Sequence, residues 1–145
     1  LLIDDAIVRG NAIKKIVEMC RAAGANKVYV ASASPPVKFP NVYGIDMPTK
    51  HELVADRRSL EEIRVELGAD ALIYQRLEDL IWAAKEGNKD IEQFDCSCFD
   101  GDYLTGSVSD DYLATLETTG RVSDKIKDMP TAGDSWNGSK LATSG

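Results

Sequence analysis

Along the first half of the chain, runs of consecutive apolar residues alternate with stretches in which apolar residues recur every three or four positions. The first run, Leu1-Leu2-Ile3, stops at Asp4-Asp5 and reads as a buried strand. Ala6-Ile7-Val8 follows, then the turn residues Arg9-Gly10-Asn11. From Asn11 to Ala25 the apolar positions are Ile13, Ile16, Val17, Cys20 and Ala23, the spacing of a helix packed on one face. Lys14, Lys15, Glu18 and Arg21 fall mostly on its other face. Asn11 is the expected N-cap and Gly24 the expected stop. Lys27–Ser34, rich in β-branched and small residues, predicts the next strand. Pro35-Pro36 ends it, since proline brings no N–H to a ladder. Strand, helix and strand with short joins imply a right-handed parallel crossover.

The pattern continues after a loop. Pro36–Pro48 is loop-like, with Val42–Asp46 as a short strand or extended piece, and a helix is expected to start at Thr49-Lys50-His51-Glu52-Leu53. Ser59 with Glu62 has the form of a capping box opening a helix over Leu60–Leu67, which Gly68 closes. Ala71–Tyr74 predicts a short strand. Arg76–Glu86 returns to helical spacing, with Leu77, Leu80, Ile81 and Ala84 inward and Trp82 over a neighbouring element. After Glu117 the periodicity fails. Residues 118–145 are rich in Thr, Ser, Gly, Asp and Lys, bury too little apolar surface to offset ordering entropy, and are expected to form a disordered tail. The domain organisation is therefore an ordered part, 1–117, and that tail.

Composition narrows the picture. A chain of 145 residues suffices for one modest core. The net charge of −7 argues against a nucleic-acid or anionic-membrane partner. No signal peptide is evident, and no apolar run approaches the roughly 20 residues of a membrane helix. Three cysteines, an odd number, fit a reducing compartment better than a disulfide framework, and a cytoplasmic location is expected. Ser139-Lys140-Leu141 is internal and is no peroxisomal address. Lacking an initial Met and opening in mid-strand, the sequence is expected to be the C-terminal fragment of a longer chain.

The candidate chemistry lies at the first turn. Asp4 and Asp5 stand at a strand's carboxyl end, where open α/β sheets bind ligands. Gly10 allows a ligand close approach or a positive φ, and the helix that follows offers unpaired N–H groups to a phosphate. Two carboxylates can hold sugar hydroxyls or a hydrated Mg²⁺. Phosphate on one side and hydroxyls or metal on the other describe a sugar-phosphate site. Elsewhere the residues commit to less. Tyr43 and Asp46 are candidates for ligand contact on what is more simply a solvated loop. His51 has no second His or Cys at ligand spacing and reads as a surface residue. Cys20 belongs to the apolar stripe of its helix. Cys96-Ser97-Cys98 offers two thiolates to zinc or an iron–sulfur cluster, yet completes neither site. A dinucleotide-binding half finds no Gly-x-Gly-x-x-Gly after the first strand to support it.

Leu1-Leu-Ile-Asp-Asp-Ala-Ile-Val-Arg-Gly10 resembles the phosphoribosyl-pyrophosphate (PRPP) motif of type I phosphoribosyltransferases, and more narrowly that of amidophosphoribosyltransferases. Ala31–Thr49, Gly68–Gln75 and Phe94–Gly106 are similar to later segments of that family in the same order. The resemblance implies an α/β fold: part of a type I phosphoribosyltransferase domain, a parallel sheet flanked by helices, with a C-terminal extension. It implies the PRPP-binding part of an enzyme that converts PRPP, glutamine and water to 5-phosphoribosylamine, pyrophosphate and glutamate, the first committed step of purine synthesis. Asp4 and Asp5 would hold the ribose hydroxyls and Mg²⁺, and Arg9, Gly10, Asn11 and Ala12 would cradle the 5-phosphate; no catalytic residue is assigned. The N-terminal glutaminase domain, with its cysteine nucleophile, is the implied partner in the same chain. The early transferase loops also fall outside this sequence, so the fragment alone is expected to be inactive. A homo-oligomer is expected.

Family members with an iron–sulfur cluster place a cysteine at the position of Asn41 and a Cys-x-x-Cys pair near Cys96. The match here is to the cluster-free branch, and no cluster is expected. Three departures stand in the motif itself: Ala6 replaces the usual Ser, and Asn11-Ala12 replaces Thr-Thr. They leave open an alternative, a non-catalytic PRPP- or nucleotide-binding regulatory remnant.

Overall fold

In the computed structural model, which describes residues 1–45, 47–106 and 108–119, three parallel strands stand side by side in chain order. They are β1 (Leu2–Asp4), β2 (Tyr29–Ser32) and β3 (Ala71–Tyr74). Leu2 pairs with Val30 and Val30 with Leu72; two residues on, Asp4 pairs with Ser32 and Ser32 with Tyr74. The helix α1 (Asn11–Ala22) connects the first two strands, and α2 (Leu60–Leu67) precedes the third. This is the α/β arrangement that the alternating periodicities predict.

Successive strand side chains point to opposite faces. Val30 and Leu72 therefore enter one core with Ile13 and Val17 of α1 and Ile63 and Leu67 of α2. Cys20 packs against that core, as its place on the apolar stripe implies. The intervening row faces the other way: Ile3 is 73% exposed and Ile73 56%, with Ala31 between them. Parallel sheets are usually covered on both faces. Here, among the described residues, one face is packed and the other exposes Ile3 and Ile73.

Several elements differ from the sequence expectations for local reasons. The N-cap of α1 is Gly10, left-handed at φ 79°, and Asn11 is already helical. The Gly10 carbonyl accepts the Lys14 N–H at 3.0 Å, so the helical ladder begins one residue earlier than an asparagine cap would set it. The strand β2 is shorter than Lys27–Ser34 because its flanking amides bond elsewhere. Val28 N–H donates to Asp70 Oδ2 at 2.7 Å, and Ser34 N–H to Ser32 Oγ at 3.3 Å. The segment at Thr49 makes a single 3₁₀ turn, Lys50–Glu52, rather than opening a helix. Leu53, Val54 and Ala55 are drawn into the interior directly after it, and Val54 N–H donates to Val8 O at 2.8 Å. The helix α3 (Leu77–Gly87) has no buried residue: Leu77, Leu80 and Ile81 are half-buried, Ala84 is exposed, and Trp82, expected over a neighbouring element, is 68% exposed. Among the described residues no strand follows it, so it lacks the sheet edge on which a crossover helix packs.

Other expectations hold as read. The stop of α1 is made at Gly24, where the Gly24 and Ala25 amides bond back to Arg21 O and Cys20 O. The boundaries of α2 and β3 are those expected. Ser59 N–H and hydroxyl both donate to Glu62 Oε2 at 2.7 Å, and Glu62 N–H returns a 3.3 Å bond to Ser59 Oγ. These bonds, the backbone one foremost, hold the Glu62 carboxyl below its ordinary value of 4.5. A carboxylate whose folded value is depressed adds stability above its unfolded pKa and loses it as pH falls through the folded one. Acid unfolding of the wild type and Glu62→Gln should therefore converge as pH drops below about 4.5, with the wild type more stable near neutrality; parallel curves would remove this contribution.

The loop after β2 is fastened to the chain's later part. Lys38 and Phe39 amides donate to Cys98 O at 2.9 and 3.1 Å, beside the short helix α4 (Ser97–Asp100). The hydroxyl of buried Tyr103 donates to Pro40 O at 2.8 Å. From Ser109 the chain forms a separate unit, in which α5 (Asp110–Thr119) is helical through Thr118 and Thr119. The rest of the expected tail, 120–145, lies outside the described residues.

Candidate functional site

At the end of β1 the chain turns through Ala6–Gly10 into α1, and a pocket of about 430 Å³ opens over that turn. Asp4, every residue from Ala6 to Ile13, and Pro48 line it. Its size is that of a small-ligand site. Gly10 makes the turn possible twice over. Its φ of +79° is disfavoured for other residues, and a Cβ there would stand 3.1 Å from Val54 Cγ2 and 3.2 Å from Leu67 Cδ2. The turn thus lies flat on α2 and the segment after the 3₁₀ turn.

No side chain caps α1, and its first turn contains no acid. The first amides of a helix have no intrahelical acceptor and carry a partial positive charge. Here they begin at the pocket wall, where an anion with oxygen acceptors would satisfy them. Asp4 is half-buried and also lines the pocket. Asp5 is exposed, is not among the lining residues, and accepts the Ala6 N–H on Oδ1 at 2.7 Å. The structure therefore brings Asp4, Arg9, Gly10, Asn11 and Ala12 into one cavity and places Asp5 beside it.

As a cation site the pair is partial. Among the described residues no cluster of three or more His, Cys, Asp or Glu is grouped to hold a metal. Mg²⁺ usually takes one or two carboxylates, with water and substrate oxygens completing the shell. Asp4 could offer one from the pocket lining, whereas Asp5 lies outside that lining with Oδ1 on the Ala6 amide.

One participant was not apparent from the sequence. Arg9 Nε–H donates to Glu52 Oε1 at 3.2 Å, and Nη2 lies 3.1 Å from the same oxygen as an ion pair. The other carboxylate oxygen of Glu52 receives the Thr49 N–H at 2.9 Å and the Thr49 hydroxyl at 2.7 Å. The Thr49 hydroxyl and amide, more than the charge of Arg9, pull the Glu52 carboxyl down to about 2. The signal that could have found it is the Thr-x-x-Glu spacing of Thr49 and Glu52, the same as that of Ser59 and Glu62. Arg9 and Glu52 also line a smaller polar pocket of about 220 Å³ with Asn11, His51, Arg58 and Glu66.

The remaining candidates take structural places. Tyr43 stacks edge-on against Tyr103 at 6.3 Å, shares a 3.3 Å hydrogen bond with the Thr105 hydroxyl, and does not line the pocket. Asp46 lies outside the described residues. His51 is exposed, with Nε2 3.2 Å from the Thr49 hydroxyl. Cys98 donates to Met47 Sδ at 3.6 Å and accepts from Asn41 Nδ2 at 3.8 Å. Burial raises the thiol pKa of both Cys96 and Cys98, which keeps them protonated and poorly nucleophilic.

A parallel sheet, an acidic strand end and a glycine turn into an uncapped helix together define part of a type I phosphoribosyltransferase domain. The particular relatives are amidophosphoribosyltransferases. That of Escherichia coli (strain K12) is 56% identical over 118 residues, 81% of this chain and 23% of that protein. That of Saccharomyces cerevisiae (strain ATCC 204508 / S288c) is 44% identical over 117 residues, 81% of this chain and 22% of that protein. A solved structure, the glutamine phosphoribosylpyrophosphate amidotransferase from B. subtilis complexed with ADP and GMP, superposes with a TM-score of 0.60 at 42% identity. The superposition covers 70% of this chain and 23% of that one. No family model matches the sequence. The chain spans about a quarter of the length of the curated relatives it matches.

Proposed function

We propose that this chain carries the PRPP-binding part of an amidophosphoribosyltransferase, a glycosyltransferase that makes 5-phosphoribosylamine, pyrophosphate and glutamate from PRPP, glutamine and water. One observation carries the reading: a left-handed glycine leads into an uncapped helix at a 430 Å³ pocket that Asp4 also lines. In this reading the α1 amides and Arg9 bind the 5-phosphate. Asp4 and Asp5 take the ribose hydroxyls and a Mg²⁺ ion, which would neutralise pyrophosphate charge when bound. Displacement at the ribose C1 passes through a cationic sugar, so the acidic wall favours that charge while the phosphate cradle positions the reacting carbon. Glutamine hydrolysis belongs to a glutaminase domain of the same chain, and the enzyme is a cytoplasmic homo-oligomer. Among the described residues no helix is long and apolar enough to cross a membrane.

The departures Asn11 and Ala12 bear on strength rather than kind. Backbone donors survive any side chain, whereas a hydroxyl lost from a charged phosphate costs about 1.5–3 kcal/mol. A second reading, a non-catalytic nucleotide site, draws on the B. subtilis structure complexed with ADP and GMP. A nucleoside 5′-phosphate presents the same pocket with a phosphate and a ribose.

Calorimetric titration of the full chain with PRPP and Mg²⁺ tests the assignment. Saturable binding is expected, weakened about tenfold to a hundredfold by Asp4→Asn and by Asp5→Asn. Binding of GMP but not PRPP would favour the second reading, and unchanged affinity in both variants would take the acidic pair out of the site.

A further inference from the structure

Arg9 precedes the turn's glycine, and half of its side chain is exposed to solvent (51%). A side chain with this many rotors loses considerable freedom when it binds a ligand. Glu52 removes part of that freedom beforehand. Its two carboxylate oxygens are engaged separately. The Thr49 amide and hydroxyl anchor Oε2, while Oε1 accepts the Nε–H of Arg9 and ion-pairs with its Nη2 at 3.1 Å. The carboxylate is therefore a fixed post, since it is held from behind as well as in front. The same segment fastens the neighbouring turn residues. Val54 N–H bonds to Val8 O at 2.8 Å, and the Val54 side chain closes over Gly10. Val8, Arg9 and Gly10 are thus attached in succession to residues 52–54, by a backbone bond, an ion pair and a packing contact. Arginine has five N–H donors. Glu52 occupies only some of them, and Arg9 still lines the larger pocket.

We propose that Glu52 is a positioning residue: without touching the sugar phosphate, it holds Arg9 so that the remaining guanidinium donors serve the phosphate group. This rests on the phosphate-cradle reading proposed above. Glu52 lines the smaller pocket and not the larger one, and Arg9 matches its charge, so orientation is gained without leaving an unpaired carboxylate beside Arg9.

The test is a double-mutant cycle in the full chain, with PRPP·Mg²⁺ affinity as the readout. Glu52→Ala should weaken binding about threefold to fivefold, the scale of a half-exposed ion pair. KM for PRPP should rise with kcat nearly unchanged, because the interaction serves ground and transition states alike. Glu52→Gln keeps an acceptor for Arg9 and should recover part of the affinity. In an Arg9→Ala background, Glu52→Ala should have no further effect. The same loss in both backgrounds would mean that Glu52 merely shapes the 49–52 turn, and unchanged affinity in Glu52→Ala would likewise overturn the proposal. If wild-type chain binds PRPP·Mg²⁺ and Asp4→Asn weakens it while the Glu52 variants do not, this inference alone fails. If the wild type does not bind PRPP·Mg²⁺ at all, the functional reading fails and takes this inference with it.

Discussion

Gly10→Val is expected to destabilise the full chain by about 2–5 kcal/mol and to abolish measurable phosphate binding at the first turn. Two costs combine. A β-branched residue at a φ of 79° is strained wherever it occurs, since its side chain crowds the backbone. The new side chain would also start 3.1–3.2 Å from Val54 and Leu67, both buried and unable to swing aside into solvent. Relief requires lifting the turn from α2, and that removes the helix amides from the pocket wall. Hydrogen exchange of the β2 amides and a titration with PRPP·Mg²⁺ separate the two effects. Wild-type protection and affinity in this variant would show that the turn tolerates a side chain, against the geometry described above.

Leu67→Ala should cost about 2–5 kcal/mol, the range for a large-to-small change in a closed core. Leu67 is 1% exposed, belongs to the cluster with Ile63 and Val17, and its Cδ2 supports the underside of Gly10. The cavity would open directly beneath the phosphate turn, so ligand affinity should fall together with stability. Val65→Ala, on the same helix at 62% exposure, is the control and should change stability by no more than about 0.5 kcal/mol. Equal losses in the two variants, read by chemical denaturation, would contradict the assigned burial.

These two positions show what could be read from the sequence and what could not. The pocket is written almost entirely in one stretch, Asp4 to Ile13, because a strand end, a turn and a helix start are contiguous by nature. Its residue types announce its chemistry without knowledge of the fold. The boundaries of α2 and β3 were equally legible, since a Ser–Glu capping box, a closing glycine and a short apolar run are local signals. Contacts across long separations were not. The Arg9–Glu52 pair spans 43 residues, and nothing in either residue's neighbourhood names the other. The start of α1 was misplaced because Asn11 satisfies a general capping preference, while the left-handed glycine before it had already set the ladder. The inward face assigned to α3 holds only in part, with Leu77, Leu80 and Ile81 half-buried and Ala84 exposed, for another reason. Amphipathic spacing states which side of a helix is apolar and is silent on whether a partner stands there.

The open side of the sheet has a practical consequence. An apolar ribbon through Ile3, Ala31 and Ile73, with Ile3 and Ile73 exposed, lets molecules of this chain stick to one another when handled by themselves. The net charge of −7 keeps them apart in dilute buffer, and added salt weakens that mutual repulsion. Low ionic strength and low concentration are therefore the conditions under which this polypeptide stays dispersed.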